Sequence, residues 1–297
     1  MADAPFSAVV VTHDSERELS VLLDSIDRHL PERPQVIVVD AASADGPPAA
    51  AHGLAEVVDL DENPGFGAAT NAGVELATAD VTVLLNPDVE LIDDGLQRLV
   101  SIARGSPVLA APRLLNADGS VQRSAHPVPG RAGALVPALV HPRVLPAPLR
   151  LNADPWRSMR PRLVGWAVAA CLAARTDLLR SLGPFDPAQF LFYEDMDLCL
   201  RAAAAGIPTE LHPGIAVVHT GGHSTAPAYG GEPHALLARR RREVVALRLG
   251  RRAAALDGLA QAVTFATRAA ARLVLRRDHR RERDQLSAVL AARRDGT

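Results

Sequence analysis

Short apolar runs alternate with helix-like segments along the first third of the chain, and this alternation limits its fold more than any other feature. The apolar runs are residues 8–12, 36–40, 56–60 and 81–86, and the helix-like segments are residues 16–30, 67–78 and 93–104. Strands that alternate with helices are typical of crossover units. We therefore predict an α/β fold with a mainly parallel central sheet flanked by helices.

The composition changes twice further along the chain. Residues 126–162 are rich in Pro and Arg and show little periodicity, which predicts a flexible surface loop at about 123–164. An apolar segment, a helix that opens near Glu194 and a strand that ends near His219 then complete a first domain, residues 1–232. Residues 234–297 hold sixteen Arg against six acidic side chains. We predict that residues 233–297 form a helical, basic C-terminal extension.

The overall charge excludes one class of partner. The chain has 297 residues, all 32 of its basic residues are Arg, and its formal net charge is -2. Nucleic-acid-binding domains normally carry a basic excess, so no nucleic acid is expected as a partner. Cys171 and Cys199 lie in apolar segments without a CxxC spacing, and we interpret both as buried thiols.

Two absences predict where the protein works. Residues 1–7 contain no basic stretch followed by an apolar run, and no segment reaches the roughly 18 apolar residues that cross a bilayer. We therefore expect a cytoplasmic protein. Its C-terminal arginines could hold it peripherally at the inner face of the cell membrane, at about 1 kcal/mol per basic side chain. A solvated helix face is the alternative interpretation of those arginines.

The first polar cluster with a chemical use is the stretch VIVVDAASADG, in which Asp40 ends an apolar strand. Ligands of open α/β sheets sit at the carboxyl ends of the strands. A carboxylate there can accept hydrogen bonds from a pyrimidine imide or from a ribose hydroxyl. A strand-end Asp that caps the next helix is the alternative.

The second cluster is the glycine-rich stretch NPGFGAATNAG, residues 63–73. Gly65 and Gly67 allow the backbone to approach a ligand closely before a helix begins. The glycine spacing differs from that of the dinucleotide-binding fingerprint. An ordinary turn, with Asn71 and Gly73 packed inside, is the alternative.

The third and fourth clusters could hold a divalent cation together. In LLNPDVEL, Asn86 and Asp88 follow an apolar strand at a spacing of two, so both can present oxygens to one hard cation. In VVHTGGHST, His219 follows another strand, and a neutral imidazole is a competent ligand for Mn²⁺-like ions. His223 lies in the same loop. Asp88 as a turn or helix cap and His219 as an ordinary polar residue are the alternatives.

The fifth cluster is FLFYEDMDLCLRAAAAG, residues 190–206, where carboxylates precede a helical stretch. A carboxylate near a helix start and a pocket edge can take the proton from an attacking hydroxyl, and we assign this role to Asp195. We interpret Asp197 as a first-turn acid that forms a surface pair with Arg201.

In the order of the chain, the stretches that resemble family 2 glycosyltransferases of the GT-A fold, a Rossmann-like architecture, are VVVTHDS, VIVVDAASADG, NPGFGAATNAG, LLNPDVEL, GPFDPAQFLFYEDMDLCLRAAAAG and VVHTGGHST. The similarity spans about residues 7–250 and is closest to the rhamnosyltransferase-like branch. It implies an inverting transfer of a sugar, L-rhamnose in that branch, from a dTDP- or UDP-sugar. The implied acceptor is a hydroxyl of a saccharide or of a polyprenyl-linked saccharide in cell-envelope polysaccharide synthesis. The implied cofactor is Mn²⁺ or Mg²⁺.

Carried onto this sequence, the resemblance implies three sets of site residues. Asp195 would be the general base, with Glu194 orienting the base or binding acceptor and Trp166 lining the acceptor side. Asp88 and His219 would be the metal ligands. The donor would be bound by Thr12, Asp14, Asp40, Asn63, Gly67, Asn71, Asn86 and Asp88.

The sequence also departs from the family pattern. The first strand ends in Thr12, His13 and Asp14 instead of Thr-Tyr-Asn, and Ala41 follows Asp40 where Asn is usual. Small residues 167–170 follow Trp166 and narrow the predicted acceptor pocket. A non-catalytic sugar-nucleotide binding protein therefore stays open, as do a nucleotidyltransferase, a different hexose or galactofuranose donor, and a homodimer.

Overall fold

The predicted strands pair with further strands to form one large mixed sheet in the computed structural model, which describes residues 4–44, 46, 48–186, 192–221 and 233–294. The strands are β1 Ser7–Thr12, β2 Gln35–Asp40, β3 Glu56–Asp59, β4 Val81–Leu85, β5 Val89–Leu91, β6 Leu109–Leu115, β7 Ala125–His126, β8 Arg162–Val164, β9 Trp166–Ala167, β10 Cys171–Arg175 and β11 Thr209–His219. The helices are α1 Glu16–His29, α2 Phe66–Leu76, α3 Gly95–Gly105, α4 Leu135–Leu139, α5 Ala147–Ala153, α6 Thr176–Leu182, α7 Glu194–Ala204, α8 His234–Leu249, α9 Arg251–Val274 and α10 Arg280–Arg294. His223 lies outside the described residues.

The sheet has the order β3-β2-β1-β4-β10-β6-β11-β5 within the described residues, and β8 pairs with β11 beside this path. Strands β1 to β4 run parallel, as the alternation in the sequence predicts. Strand β10 enters antiparallel to both β4 and β6, and β11 runs parallel to β6. The predicted α/β fold with a Rossmann-like sheet and flanking helices is therefore confirmed.

Helix α1 shows why the predicted helices form. Its buried positions Leu19, Leu22, Leu23 and Ile26 are spaced by three and four residues and are at most 2% exposed. They share one core cluster with residues of the sheet such as Val10. Burying each side chain contributes about 1.5–3 kcal/mol, so tertiary packing rather than capping stabilises the helix.

The chain divides into two compact units, the first of residues 1–125 and 156–228 and the second of residues 126–155 and 229–297. Helix α4 packs on α9 in the second unit, where Ala138 is 3% exposed and its carbonyl accepts a bond from Thr267 Oγ1 at 2.9 Å. The sequence predicted a loop for this segment because its helices have only five and seven residues. Elements that short show no 3.6-residue periodicity.

The predicted C-terminal helical extension is confirmed in α8, α9 and α10, which all pack against one another. Small side chains such as Ala254 and Ala288 fill the buried positions. Arg241 donates two bonds of 2.8 Å to the buried Asp257. Within the described ranges, no helix has both the length and the apolar character needed to cross a membrane.

Candidate active site

The carboxyl ends of β1, β2 and β4 place several predicted residues along one edge of the sheet. Thr12 and Asp40 are register partners at the ends of β1 and β2. Leu85, the last residue of β4, pairs with Val10, so β4 ends two residues before β1 on this edge of the sheet. The amide of Asn86 donates to the carbonyl of Ala170 at 2.9 Å, which ties the start of β10 to this edge.

A hydrogen-bonded turn surrounds Asp40. The carboxylate of Asp40 is fully buried and accepts bonds from the backbone amide and the hydroxyl of Ser43. The same hydroxyl accepts from the amide of Asp14 at 2.9 Å, and Asp14 Oδ1 accepts from the amide of Ala44 at 2.8 Å. Thr12 Oγ1 is buried with no hydrogen bond among the described residues. The two loops are therefore joined, and an unsatisfied hydroxyl lies beside them.

Residues of the glycine-rich stretch 63–73 pack against, and hydrogen-bond to, the segment around Phe185. Asn71 donates to the carbonyl of Phe185 at 2.8 Å and accepts from its amide at 3.0 Å. A Cβ added at Gly67 would lie 2.9 Å from Phe185 Cβ, so only glycine fits there. Asn63 Oδ1 accepts from the amide of Gly65 at 2.9 Å. These contacts give Gly67, Asn63 and Asn71 structural roles. Their predicted contacts with the sugar-nucleotide donor stay a prediction.

Asn86, Asp88 and His219 come together although they lie far apart in sequence. His219 Nε2 lies 3.4 Å from Asp88 Oδ1 and 3.3 Å from Asn86 Nδ2. Asp88 Oδ2 accepts from the amide of Gly221 at 2.7 Å. On the other side of the ring, His219 Nδ1 lies 2.9 Å from Gln122 Oε1. Strand β5 begins directly after Asp88 and pairs antiparallel with β11, which ends at His219. This pairing places His219 beside Asp88.

Asp88 is held as a carboxylate. Burial alone raises the pKa of Asp88, but hydrogen bonding and charge from His219 and the Gly221 amide outweigh it, so the pKa lies below its ordinary value. The side chain is only 11% exposed. A buried carboxylate beside an imidazole nitrogen is a donor set suited to Mn²⁺ or Mg²⁺.

The spacing of these donors fits a small cation. Two ligands at right angles on an ion with bonds of about 2.1 Å are about 3.0 Å apart, close to the Asp88–His219 distance of 3.4 Å. No group of three or more His, Cys, Asp or Glu side chains with metal-binding geometry occurs in the described part of the chain. A cation held here would need further ligands, and Mg²⁺ commonly takes these from substrate phosphates and water.

Asp195 lies in the first turn of α7 and is partly buried. Its Oδ1 accepts from the Met196 amide at 2.7 Å, and the Ala169 amide also bonds to it. Burial raises the pKa of Asp195 to about 6, against the lowering effect of these two amides. Because Ala170 is bonded to Asn86, the contact with Ala169 places Asp195 at the same edge of the sheet as Asn86.

Aromatic residues surround the start of α7. The rings of Trp166 and Tyr193 meet edge to face with centroids 6.1 Å apart, and Trp166 is 6% exposed. Phe192 and Tyr193 have φ values of 74° and 66°. Two successive left-handed residues that are not glycine cost on the order of 1–3 kcal/mol each, which is common where a loop is held for function. Glu194 follows and is partly buried.

The pair of Asp197 and Arg201 forms as predicted, but it is buried rather than on the surface. Asp197 is 1% and Arg201 17% exposed, and Nε lies 2.7 Å from Oδ2. Arg201 also donates to the carbonyls of Leu182, Gly183 and Pro184. The pair therefore fastens α7 to the segment after α6, and the sequence spacing could not show that this segment covers it.

Sequence reasoning missed Ser43, Gln122 and the amide of Ala169. Ser43 had a signal, because Ser three residues after a strand-end Asp commonly bonds back to it. Gln122 lies 97 positions from His219 and has no motif around it. The Ala169 amide is a backbone group, which a side-chain pattern cannot reveal.

Solved structures share this architecture. The mannosyltransferase PcManGT from Pyrobaculum calidifontis, in complex with GDP-Man and Mn²⁺, superposes with a TM-score of 0.61 at 17% identity over 98% of this chain and 86% of that chain. GalNAc-T7 with UDP, GalNAc and Mn²⁺ gives a TM-score of 0.56 at 17% identity, covering 80% of this chain. The chain spans about half of GalNAc-T7, 48% of its length. The fold is therefore that of the GT-A glycosyltransferases.

Sequence comparison narrows the class. Residues 7–135 match the model of Glycosyl transferase family 2. A relative from Mycobacterium tuberculosis, named N-acetylglucosaminyl-diphospho-decaprenol L-rhamnosyltransferase, is 29% identical over 73% of this chain and 76% of its own length. The chain is thus a glycosyltransferase that is similar to family 2 over residues 7–135 and to a named L-rhamnosyltransferase over 73% of its length. This finding favours the transferase over the binding-protein and nucleotidyltransferase alternatives.

Proposed function

We propose that this protein transfers a sugar, with inversion at the anomeric carbon, from a dTDP- or UDP-sugar to a hydroxyl of a saccharide or lipid-linked saccharide in cell-envelope polysaccharide synthesis. The observation that carries the proposal is the position of Asp195. This partly buried carboxyl has a raised pKa and is linked by the Ala169–Ala170 segment to the edge that holds Asp88 and His219. A base and a candidate cation site at one sheet edge are what a single displacement requires.

Asp88 and His219 would hold the divalent cation. The Asp88 carboxylate is charged at neutral pH, and the His219 imidazole supplies a second donor when its Nε2 carries the lone pair. When bound, the cation neutralises the charge that develops on the departing diphosphate. The Mn²⁺ in the two solved structures described above supports this assignment for the fold.

Asp195 would act on the acceptor. Its carboxylate takes the proton of the attacking hydroxyl while the acceptor oxygen forms a bond to the anomeric carbon. The bond from that carbon to the phosphate oxygen breaks, and its electron pair leaves with the diphosphate. With a pKa of about 6, roughly nine-tenths of the Asp195 side chains are ionised at pH 7 and still basic enough to accept a proton.

Asp40 and Thr12 would contact the donor nucleotide once the turn at Ser43 opens, since both side chains are buried in this conformation. The Asp40 carboxylate has acceptor capacity beyond its bonds to Ser43, and the Thr12 hydroxyl has its bonding capacity unused. A pyrimidine imide or a ribose hydroxyl matches these groups. Asp14 Oδ1 already binds the amide of Ala44, so we assign it to shaping the turn that the donor would face.

The acceptor would bind beside Trp166 and Glu194. An aromatic ring next to a carboxylate is suited to a sugar, because the ring covers the apolar face of the sugar and the carboxylate accepts from its hydroxyls. The name of the Mycobacterium tuberculosis relative specifies L-rhamnose and a polyprenyl-diphosphate acceptor. We propose the same classes here, with another hexose or galactofuranose as the competing donors.

A donor panel tests the proposal. Binding and slow hydrolysis of dTDP-rhamnose, UDP-galactofuranose and other UDP-sugars are measured with and without Mn²⁺ for the wild type and for Asp88→Asn. We expect one donor to be bound and hydrolysed only with Mn²⁺, and this dependence to be lost in Asp88→Asn. The exposed Asp24→Asn variant on α1 is the control and should match the wild type. Equal donor binding with and without Mn²⁺ in all three proteins would contradict the cation site.

A further inference from the structure

The hydrogen bonds around Gln122 fix the orientation of its side chain. Gln122 Nε2 lies 3.2 Å from the backbone carbonyl of His219 and 3.0 Å from Asn116 Oδ1. A backbone carbonyl only accepts, so the NH₂ group of Gln122 must face it. Its Oε1 then faces His219 Nδ1 at 2.9 Å, and that nitrogen must carry the proton. When the ring is neutral, Nε2, which faces Asp88 and Asn86, therefore carries the lone pair.

We propose that Gln122 is a positioning residue that holds His219 in the tautomer able to bind a cation. The inference rests on the proposed function, because it concerns the same cation site. A ring that was free to place its proton on Nε2 would hydrogen-bond Asp88 and lose its capacity as a ligand. Groups that orient a metal-binding histidine typically change metal affinity by about 10- to 100-fold when they are removed.

Two substitutions separate the acceptor role from simple packing. Gln122→Met keeps the length of the side chain but removes the acceptor, and Gln122→Glu keeps an acceptor for Nδ1. Mn²⁺ affinity in the presence of UDP is measured by electron paramagnetic resonance, and the protonated ring nitrogen is identified by ¹⁵N NMR without metal. We expect Gln122→Met to weaken Mn²⁺ binding by roughly 10- to 100-fold and to shift the tautomer, and Gln122→Glu to retain both.

The outcomes distinguish this inference from the proposed function. If Asp88→Asn abolishes Mn²⁺ binding but Gln122→Met leaves both the affinity and the tautomer unchanged, Gln122 has no positioning role and the cation site stands. An equal loss in Gln122→Met and Gln122→Glu also overturns the inference, because it assigns Gln122 to packing alone. If the wild type binds no Mn²⁺ with UDP present, the cation site fails and the inference fails with it.

An independent observation lies at the end of α9. Nine successive residues, 270–278, are exposed there. Leu273, Val274 and Leu275 within this run are 61%, 81% and 63% exposed. Arg276, with a φ of 52°, lies two residues after the last residue of the helix. We define these nine residues as the apolar tip of the second unit.

Basic residues lie within the tip and directly after it. Residues 272–283 hold six Arg against two acidic side chains. Glu282 pairs with Arg272 at 2.8 Å, and Asp278 Oδ1 accepts from the amide of Arg280. Arg276 and Arg277 are exposed beside the three apolar side chains. Exposed apolar side chains next to a cationic excess complement an anionic lipid surface, where the former enter the acyl boundary and the latter face the headgroups.

We infer that the apolar tip docks the protein on anionic lipid bilayers. Flotation is measured with vesicles of phosphatidylcholine alone and with added phosphatidylglycerol. The wild type should float with the anionic vesicles. The triple variant Leu273→Ser, Val274→Ser, Leu275→Ser should bind these vesicles at least roughly ten-fold more weakly. The double variant Val21→Ser, Ile92→Ser removes two other exposed apolar side chains and should float like the wild type.

The same measurement can overturn the docking inference. A wild type that stays unbound with anionic vesicles contradicts it directly. A triple variant that floats normally but loses self-association in light scattering assigns the tip to a second copy of the chain instead. Equal weakening in the control double variant would show that the tip has no special part in binding.

Discussion

At the scale of single residues, Asp195 combines two opposing requirements. Its burial in the first turn of α7 raises its pKa to about 6, which makes the carboxylate a better base. The same burial disfavours the charged form in the folded state. The residue therefore contributes to the proposed chemistry at the expense of stability, which is common for groups with perturbed pKa values at active sites.

The substitution Asp195→Asn should abolish transfer and stabilise the fold. Transfer should fall by about 10²- to 10⁴-fold because the base is lost. The folded-state pKa is higher than the ordinary value, so the wild type loses stability as the pH rises from about 4 to about 6 and stays at that level above. The variant lacks this loss and should be more stable at pH 7.5 by up to about 3 kcal/mol.

Urea unfolding from pH 4 to pH 7.5 measures this difference, together with the rate of sugar transfer. Asp24→Asn on the exposed face of α1 is the control and should change neither quantity. A variant that unfolds like the wild type at pH 7.5 would show that Asp195 is not strained by its burial. Retained transfer would remove Asp195 from the role of base.

The sequence predicted the proximity of those candidate-site residues that follow strand ends, and it did not predict contacts between residues without such a position. Asp88 and His219 were expected together because each directly follows an apolar strand, and the structure brings them to 3.4 Å. Gln122 follows no such rule, since its bond to His219 depends on how the chain returns after β6. Asn71 was expected near a donor, but its amide is bonded to the backbone of Phe185.

At the scale of secondary-structure elements, the predictions hold where pattern and packing agree. The first four expected strands end within one residue of β1 to β4, because alternating strands and helices leave few other assignments. Strand β6 was not predicted, since Pro112 interrupts its apolar run. Its neighbour β11 shifts register between His212 and Ala216, opposite Pro112 and Arg113. The irregular pairing accommodates Pro112, which has no N–H to donate to β11. The local sequence of β6 does not reveal this pairing.

Helix α2 lies so close to the sheet that Gly73 cannot be replaced. A Cβ at this position would lie 2.5 Å from Val9 Cγ1 and 3.1 Å from Val39 Cγ2. We expect Gly73→Ala to lower the free energy of unfolding by about 1–3 kcal/mol, because the helix must move away from β1 and β2. Urea unfolding measures the change.

Gly105→Ala is the matched control for that prediction. Gly105 ends α3, and an added Cβ would meet nothing within 4 Å. Gly105→Ala reduces the conformational entropy of the unfolded chain, so it should raise the free energy of unfolding by about 0.4–1 kcal/mol. Destabilisation of both variants by the same amount would mean that helix α2 is not closely packed on the sheet.

At the scale of the whole molecule, the second unit is discontinuous in sequence. Residues 126–155 leave the first unit after β7 and belong with the C-terminal helices. A Cβ at Gly130 would lie 2.6 Å from the carbonyl oxygen of Ala253, so the two segments approach each other closely. The sequence could not reveal this association, because the partners are more than 100 residues apart and the inserted helices are too short to show a pattern.

The discontinuous unit should lose its structure as one body. Asp257→Ala removes the carboxylate that Arg241 binds twice at 2.8 Å, where the two side chains are only 7% and 19% exposed. Removing one partner of such a buried pair typically costs about 3–5 kcal/mol. Hydrogen exchange read by mass spectrometry should therefore show lost protection in both 126–155 and 233–294, with β1, β2 and β4 unchanged.

Asp177→Ala provides the comparison, because Asp177 and Arg175 form an exposed pair in the first unit, with side chains 65% and 47% exposed. Exposed pairs contribute little to stability, so this variant should exchange like the wild type. If Asp257→Ala loosens 233–294 alone, residues 126–155 are stabilised independently of the C-terminal helices. Joint loss in both segments would mean that the inserted segment depends for its order on residues near the other end of the chain.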